Sequence, residues 1–303
     1  MKAGDVIGLL KQSATEWAED KASTLGAALA YYTAFSLAPL LILPIGIAGL
    51  ALGEEAARGQ ILEQMRGLVG EQGGKAVEGM IQSASKPSQG ILATIVGVVT
   101  LLFGASGVFG QFQASLNAIW GVEPKTGRGV AGILKDRFLS FGMILVIGFL
   151  LLVSLVLTAG LAAAGKWVGN LMPGTEAIGH LVNFVVSFGV ITLLFAMIFK
   201  VLPDVKMSWS DVWLGAGVTA LLFTIGKFAL GVYLGKSATE SSPGAAGSLI
   251  VLLLWVYYSA QIVFFGAEFT QIYVNRFGSH VEPADDAARI SKTAGQASAT
   301  TPA

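Results

Sequence analysis

Six long apolar runs constrain this chain more than any other feature. They cover about residues 25–52, 91–117, 138–163, 179–202, 211–234 and 248–274. A helix that crosses a bilayer needs about 20 mostly apolar residues, and each run reaches that length. Only 13% of the residues are charged, whereas soluble domains carry about 25%. The sequence therefore predicts an all-α membrane protein with six transmembrane helices.

The distribution of Lys and Arg predicts the orientation of these helices. Twelve of the nineteen basic residues fall in the N-terminal segment, the second and fourth loops and the C-terminal segment, and six fall in the other loops. Loops rich in Lys and Arg stay on the cytoplasmic side of the membrane. We therefore expect both termini to be cytoplasmic.

Three segments flank or interrupt the six-helix domain, which we place at residues 25–277. Residues 1–24 are predicted to form a cytoplasmic amphipathic segment whose apolar side chains, among them Leu9 and Trp17, face lipid. The external loop at about 53–90 is predicted to hold two amphipathic helices separated by GEQGG. Residues 278–303 contain few large apolar side chains, so we expect a disordered cytoplasmic tail.

Two prolines lie inside the first apolar run. Pro39 and Pro44 each remove a backbone donor, so the first helix is predicted to be kinked or locally unwound. Broken helices form binding sites in many transporters. Prolines also produce plain bends in helix bundles that transport nothing, and the sequence leaves both interpretations open.

Two charged residues interrupt the apolar runs. Lys227 lies in the fifth run and Glu268 in the sixth. A charge in hydrocarbon costs a few kcal/mol or more, about 3 on insertion scales, unless it faces protein or water. One interpretation is that each residue only fixes helix packing through a polar neighbour. The other is that both line a polar pathway for a solute.

Further polar residues recur on the helices near these two charges. Lys227 belongs to a stripe of small and polar residues, predicted to face a neighbouring helix, and Tyr257 or Gln261 is its expected contact. Glu268 is expected at the centre of a polar cluster in the cytoplasmic half of the bundle. The other expected members of this cluster are Gln113, Asn117, Tyr31, Tyr32 and Ser36.

Composition argues against several other functions. The chain has no cysteine, two histidines and a formal net charge of zero. Disulfides and thiolate metal sites are therefore impossible, and a basic nucleic-acid surface is not expected. We also find no phosphate-binding loop, dinucleotide fingerprint or nucleophile elbow. We expect no enzyme activity, cofactor, metal site or nucleic-acid partner.

Four long motifs, taken together, resemble the YihY/BrkB family of bacterial inner-membrane proteins. They read AYYTAFSLAPLLILPIGIAGL, LFGASGVFGQFQASLNAIWGV, VLPDVKMSWSDVWLGAGVTALLF and GAAGSLIVLLLWVYYSAQIVFFGAEFTQIY, within about residues 20–277. The resemblance implies six membrane helices and an inner-membrane location. The family has been labelled ribonuclease BN as well as virulence factor BrkB. We expect no nuclease activity, because His180 and His280 are too few for a metal-dependent site and fall on opposite sides of the predicted membrane.

Two functions from different classes fit these observations. The first is a transporter or exporter of a small or amphipathic solute related to the cell envelope. Six spans are few for a monomeric transporter, so this interpretation favours a homo-oligomer. The second is a membrane scaffold that supports envelope integrity without transport. In both cases membrane lipids are the expected partners.

Overall fold

A computed structural model describes residues 3–84, 107–125, 142, 176–237, 245–278 and 281–290. These residues are mostly helical, and four very short strands connect the ends of the helices. The helices are α1 (Ala3–Glu19), α2 (Ala22–Leu52), α3 (Glu54–Ala84), α4 (107–119), α5 (Glu176–Val201), α6 (Trp209–Ser237) and α7 (Ala245–Phe277). The strands are β1 (Val122–Pro124), β2 (Val205–Lys206), β3 (Glu282–Pro283) and β4 (Ala287–Arg289).

Three of the described helices are long and apolar enough to cross a membrane. They are Phe184–Val201 in α5, Trp209–Leu230 in α6 and Leu249–Phe277 in α7. They coincide with the predicted spans 179–202, 211–234 and 248–274. Residues 91–106 and nearly all of 138–163 lie outside the described residues, so six spans stay a prediction.

The predicted first span lies within α2, which is one helix of 31 residues. Pro39 and Pro44 are both inside it, and the helix continues through both positions. The helix is therefore not divided into two elements at the prolines. A kink at either proline stays a prediction.

Helix α7 is the centre of the packing, because α1, α2, α3 and α6 all lie against it. Its contact with α6 is close. A Cβ atom at Gly215 of α6 would lie 2.7 Å from the Thr270 Cβ, and one at Gly266 of α7 would lie 2.8 Å from the Thr219 Cβ. Each threonine thus packs on the glycine of the other helix, and small residues allow the two backbones this approach.

The segment α3 turns back on itself. The Arg66 side chain packs on Gly74, and its guanidinium donates a hydrogen bond of 3.2 Å to Glu78. A straight helix would separate residues 66 and 74 by about 12 Å along its axis, and residues 66 and 78 by about 18 Å. The chain therefore reverses near the glycines at 70–74; two separate amphipathic helices on the external side stay a prediction.

Helix α1 lies against the bundle. Leu9 is fully buried against Phe269 and Ile272 of α7, and Ser13 is also fully buried. The prediction that Leu9 faces lipid is therefore wrong. Because α1 packs on the C-terminal part of α7, α1 and the end of α7 lie at the same end of the bundle.

The C-terminal strand segment, residues 281–290, is ordered by pairing with two loops. Strand β4 pairs antiparallel with β1, and β3 pairs antiparallel with β2. The prediction of a disordered tail is wrong for these residues, because they form backbone hydrogen bonds to the loops and bury Val281 in the main hydrophobic cluster. Residues 291–303 lie outside the described residues.

Candidate functional site

Glu268 is the centre of the candidate site. It lies nine residues before the end of α7, about 14 Å along the helix axis. The side chain is fully buried, no N–H or alcohol donor among the described residues reaches either carboxyl oxygen, and the Asp20 carboxyl lies within hydrogen-bonding reach of it. A buried carboxylate without a donor is costly. This position therefore needs a compensating proton or positive charge.

Among the described residues, the charged groups that act on Glu268 are Glu16, near the end of α1, and Asp20, in the turn that follows it, and both are acidic. They continue the line of the buried Leu9 and Ser13 at steps of three and four residues. The packing of that line of residues on α7 brings three carboxyl groups together at one end of the bundle.

Gln261 extends the buried polar surface away from this end. It lies seven residues before Glu268 on α7, about 10 Å along the axis and on the same face of the helix. Its amide packs on Gly26 of α2, where a Cβ atom would overlap it. Both polar atoms of the amide are buried and have no hydrogen-bond partner among the described residues. The Gln261 amide therefore places further buried polar atoms without a described partner at the contact between α2 and α7.

A cavity of about 350 Å³ opens beside Glu16 and Asp20. Glu16 and Asp20 line one wall, Gln271 and Asn275 of α7 line another, and the turn after α4 and the C-terminal strand segment complete it. Trp120 lies in that turn. Its side chain is 6% exposed, and its indole N–H has no acceptor among the described residues. Two carboxyl groups, two side-chain amides and Trp120 thus line the cavity.

Gln113 and Asn117, which were expected beside Glu268, bind a different residue. Asn117 donates a hydrogen bond of 2.9 Å to the Asp204 carboxylate, and Gln113 donates one of 3.2 Å. Asp204 belongs to the turn between α5 and α6. These two residues therefore join α4 to that turn.

The tyrosines expected in the cluster are more exposed than predicted. Tyr31 and Tyr32 are 61% and 43% exposed on α2, whereas Ser36, one turn further along, is buried. Tyr32 and Ser36 both contact the position of Gly107 at the beginning of α4. Tyr257 is half-buried and stacks edge-on against Tyr258. A role for these four residues in a pathway stays a prediction.

Lys227 lies outside the candidate site. Its side chain is exposed, beside Phe228 and close to Ile225, which are exposed as well. The prediction that it faces a neighbouring helix is wrong, because the α6 face that packs on α7 contains Gly215, Thr219 and Gly226. The apolar stretch of α6 ends three residues after Lys227, about 5 Å along the axis. A lysine at that depth can extend its ammonium group to the membrane surface.

Glu16, Asp20 and Trp120 were not predicted as site residues. The signal for the two acids was present, because they continue the period of Leu9 and Ser13 along one face of α1. No sequence signal places Trp120 in a cavity, since it follows α4 in a turn that the tertiary structure positions.

Comparison with known proteins gives the family. The family model described as virulence factor BrkB matches residues 13–291. The chain belongs to this family. No solved structure matches the chain.

The similar curated proteins are named UPF0761 membrane proteins. One from Rhodospirillum centenum is 27% identical over 271 residues, which cover 88% of this chain and 57% of the relative. One from Pseudomonas paraeruginosa is 28% identical and covers 87% of this chain and 62% of the relative. A third, from Aeromonas salmonicida, is 26% identical and covers 83% of each. The chain thus spans about three fifths of the first two relatives, and none of these names describes an enzyme.

Proposed function

We propose that this protein is a multi-pass transporter of the bacterial inner membrane, with both termini in the cytoplasm. Its solute is small or amphipathic and related to the cell envelope. In this proposal Glu268 is the carboxyl group of the transport pathway, and Gln261 lies further along the same pathway. The observation that carries the proposal is the complete burial of Glu268, whose carboxyl oxygens meet no N–H or alcohol donor among the described residues and whose neighbours include the carboxyl groups of Asp20 and Glu16.

A purely structural role explains this arrangement less well. A carboxyl group that only fixes helix packing gains stability from a donor on the neighbouring helix. Among the described residues, the charged groups near Glu268 are Asp20 and Glu16, which repel a carboxylate. An acidic residue inside a membrane span that meets acids and no cation in the described part of the chain is the pattern expected of a site that takes a proton or a cation during function.

The cavity supports the same conclusion. It lies at the end of the bundle that contains both α1 and the C-terminal part of α7, and Asp20 belongs both to its wall and to the surroundings of Glu268. In this proposal a solute that enters the cavity reaches the carboxyl groups of Glu16 and Asp20 before it reaches that of Glu268. Such a succession of polar groups suits stepwise passage into the membrane.

The test compares Glu268→Gln with Glu268→Leu and with Glu55→Gln, a control at an exposed carboxylate in the first turn of α3. Each variant is expressed in cells that lack the protein, and metabolites and lipids are compared without preselection. We expect Glu268→Gln to reach wild-type levels in the membrane. The metabolite and lipid profile of these cells should nevertheless match that of cells that lack the protein. The Glu55→Gln variant should restore the wild-type profile, whereas Glu268→Leu, which leaves no described N–H or alcohol donor unpaired, should reach the membrane and also fail to restore it.

Restoration of the wild-type profile by Glu268→Gln would remove Glu268 from the pathway. That result would favour the second function, a membrane scaffold in which the residue at 268 needs only shape and hydrogen bonding. The amount of protein in the membrane is measured in parallel, so that loss of folding is not mistaken for loss of transport.

A further inference from the structure

We propose that α3 is a re-entrant helical hairpin, which enters the membrane from the predicted external side instead of lying on its surface. The charged surface of this hairpin (Glu63, Glu71 and Lys75) lines a water-filled vestibule, which is the external half of the transport pathway. Only the role in transport rests on the proposed function. The position of the hairpin stands on packing and charge.

The first support is the direction of α3 relative to α2. Gly53 alone separates the two helices, and its φ of 84° is one that glycine adopts readily. A Cβ atom at Gly49 would lie 3.2 Å from the Glu54 Cα, so the chain turns sharply there and α3 packs back along α2. None of the 31 residues of α2 is charged. Packing along this predicted span therefore carries α3 toward the middle of the membrane.

The second support is the depth that the packing reaches. One hydrophobic cluster joins α3 to the interior of α2 and to the beginning of α7, through Leu62, Val77 and Ile81 of α3, Leu37, Leu41 and Ile45 of α2, and Leu252 of α7. Val256 packs against this cluster, seven residues inside the candidate span that begins at Leu249, about 10 Å along the axis. The arm from Glu54 to Arg66 is about 18 Å long, which exceeds half of the roughly 30 Å of hydrocarbon.

The third support is the charge that α3 carries at this depth. The Arg66 guanidinium lies 3.2 to 3.9 Å from three carboxylates, those of Glu63, Glu71 and Glu78. The side chains of Glu63 and Glu71 are nevertheless 79% and 62% exposed, and Lys75 is exposed as well. Exposed charges in contact with hydrocarbon are costly, so at this depth they face a water-filled space.

The hairpin and the candidate site lie along one face of α2. Gly26 packs on Gln261 of the candidate site. Leu37, in the cluster that holds the hairpin, lies three turns further along the same face, about 16 Å from Gly26 along the axis. The vestibule thus approaches the buried polar groups from the side opposite to the cytoplasmic cavity. A transporter that opens to each side in turn has this arrangement.

Spin labels test the depth and the surroundings of α3. The chain has no cysteine, so single labels can be attached in the variants Glu55→Cys, Glu71→Cys and Ile225→Cys. These positions lie at the beginning of α3, at its reversal and on the exposed apolar surface of α6. Each full-length variant is placed in phosphatidylcholine vesicles. Electron paramagnetic resonance then measures how strongly oxygen, a water-soluble nickel chelate and nickel bound to lipid headgroups relax the label.

The label at Glu71 should be both deep and in water. We expect the soluble chelate to relax it several-fold more strongly than the label at Ile225. Headgroup-bound nickel should relax it several-fold less than the label at Glu55. Strong relaxation by headgroup-bound nickel would place the reversal on the membrane surface. Relaxation by oxygen alone would place it in lipid, and relaxation by neither oxygen nor the chelate would place it in a dry contact. Each of these three results overturns the proposal.

Gly59→Trp tests whether the vestibule belongs to the transport pathway. Gly59 is exposed one turn before Glu63, and a Cβ atom there meets nothing within 4 Å. Tryptophan therefore fills open space beside the charged surface. The variant should reach wild-type levels in the membrane and fail to restore the wild-type metabolite and lipid profile. The control is Gly189→Trp, at an exposed glycine of α5 with equally open surroundings, which should restore it.

The two experiments keep the hairpin and the transporter separate. Restoration of the profile by Gly59→Trp would remove the vestibule from the pathway, and Glu63→Trp repeats this test if Gly59→Trp does not reach the membrane. Restoration by Glu268→Gln, with the Glu71 label deep and in water, would reject the transport pathway through Glu268 and retain the hairpin. A surface position of the Glu71 label, with loss of function in Glu268→Gln, would reject the hairpin and retain the transporter.

Discussion

Asn117 and Asp204 exchange two hydrogen bonds between α4 and the turn that joins α5 to α6. The Asn117 Nδ2 donates to the Asp204 carboxylate at 2.9 Å, and the Asp204 backbone N–H donates to the Asn117 Oδ1 at 2.8 Å. Asn117 is 4% exposed. The reciprocal pair fixes the end of α4, from which the turn that contains Trp120 continues.

Replacing Asn117 with Ala should therefore destabilise this end of the bundle. The change removes two hydrogen bonds and leaves polar groups of Asp204 with fewer partners, which corresponds to about 1–3 kcal/mol of unfolding free energy. Reversible unfolding in mixed micelles of increasing SDS content measures the loss. The control is Ser210→Ala at an exposed position of α6, and equal stability of the two variants would contradict the structural role of Asn117.

The contact between α6 and α7 predicts that alanine at two glycines of α6 has opposite effects on the unfolding free energy. A Cβ atom at Gly215 would overlap the stiff, β-branched side chain of Thr270, whereas one at Gly217 meets nothing within 4 Å. Gly215→Ala should lower the unfolding free energy by about 1–3 kcal/mol. Gly217→Ala should raise it by about 0.5–1 kcal/mol, because alanine is the better helix former. The same SDS titration measures both, and a stable Gly215→Ala variant would show that the helices lie further apart.

Lys227→Met should change neither stability nor function. The side chain is exposed on the outer face of α6, so methionine keeps the apolar contacts of the stem and removes a charge that does not face the candidate site. The thermal midpoint and the metabolite and lipid profile should both match the wild type. Loss of the wild-type profile in a stable Lys227→Met protein would return this lysine to the transport pathway.

The ion pair between Lys206 and Asp285 predicts how pH affects the C-terminal strand segment. The hydrogen bond and charge of Lys206 lower the pKa of Asp285, and the hydrogen bond with Asp285 raises the pKa of Lys206. Asp285 contributes fully to the free energy of unfolding above its unfolded-state pKa of about 4, and this contribution is lost as pH falls through its lower folded-state pKa. Lys206 contributes fully below its unfolded-state pKa of about 10.4, and its contribution is lost as pH rises through its higher folded-state pKa.

The two pKa shifts together predict that the ion pair adds a constant amount to the unfolding free energy between about pH 4 and about pH 10. Both side chains are exposed, so the effect is small and salt screens it. The thermal midpoint of Asp285→Asn, relative to wild type, should be slightly lower at pH 7 in low salt. The difference should disappear near pH 2 or in 1 M salt, and Glu123→Gln on the exposed side of β1 should show no such difference.

The candidate site was only partly predictable, for reasons that individual residues show. The burial of Glu268 followed from a charge placed late in a long apolar run. Its neighbours did not follow, because Glu16 and Asp20 lie about 250 positions earlier in the chain. For Gln113 and Asn117 the sequence indicated a shared polar face on α4. The acceptor they use, Asp204, depends on which turn packs against that face.

The sequence by itself determined three properties: the chain enters a membrane, the helices α5, α6 and α7 occupy the last three apolar runs, and Glu268 is buried. Length and hydropathy decide these properties, because each apolar run must leave water whatever its neighbours are. Only the tertiary structure decided that α1 packs on α7, that Lys227 faces outward and that residues 281–290 pair with two loops. A helical period defines faces but not the helix that each face meets, and a short polar segment orders only where another strand offers its backbone groups.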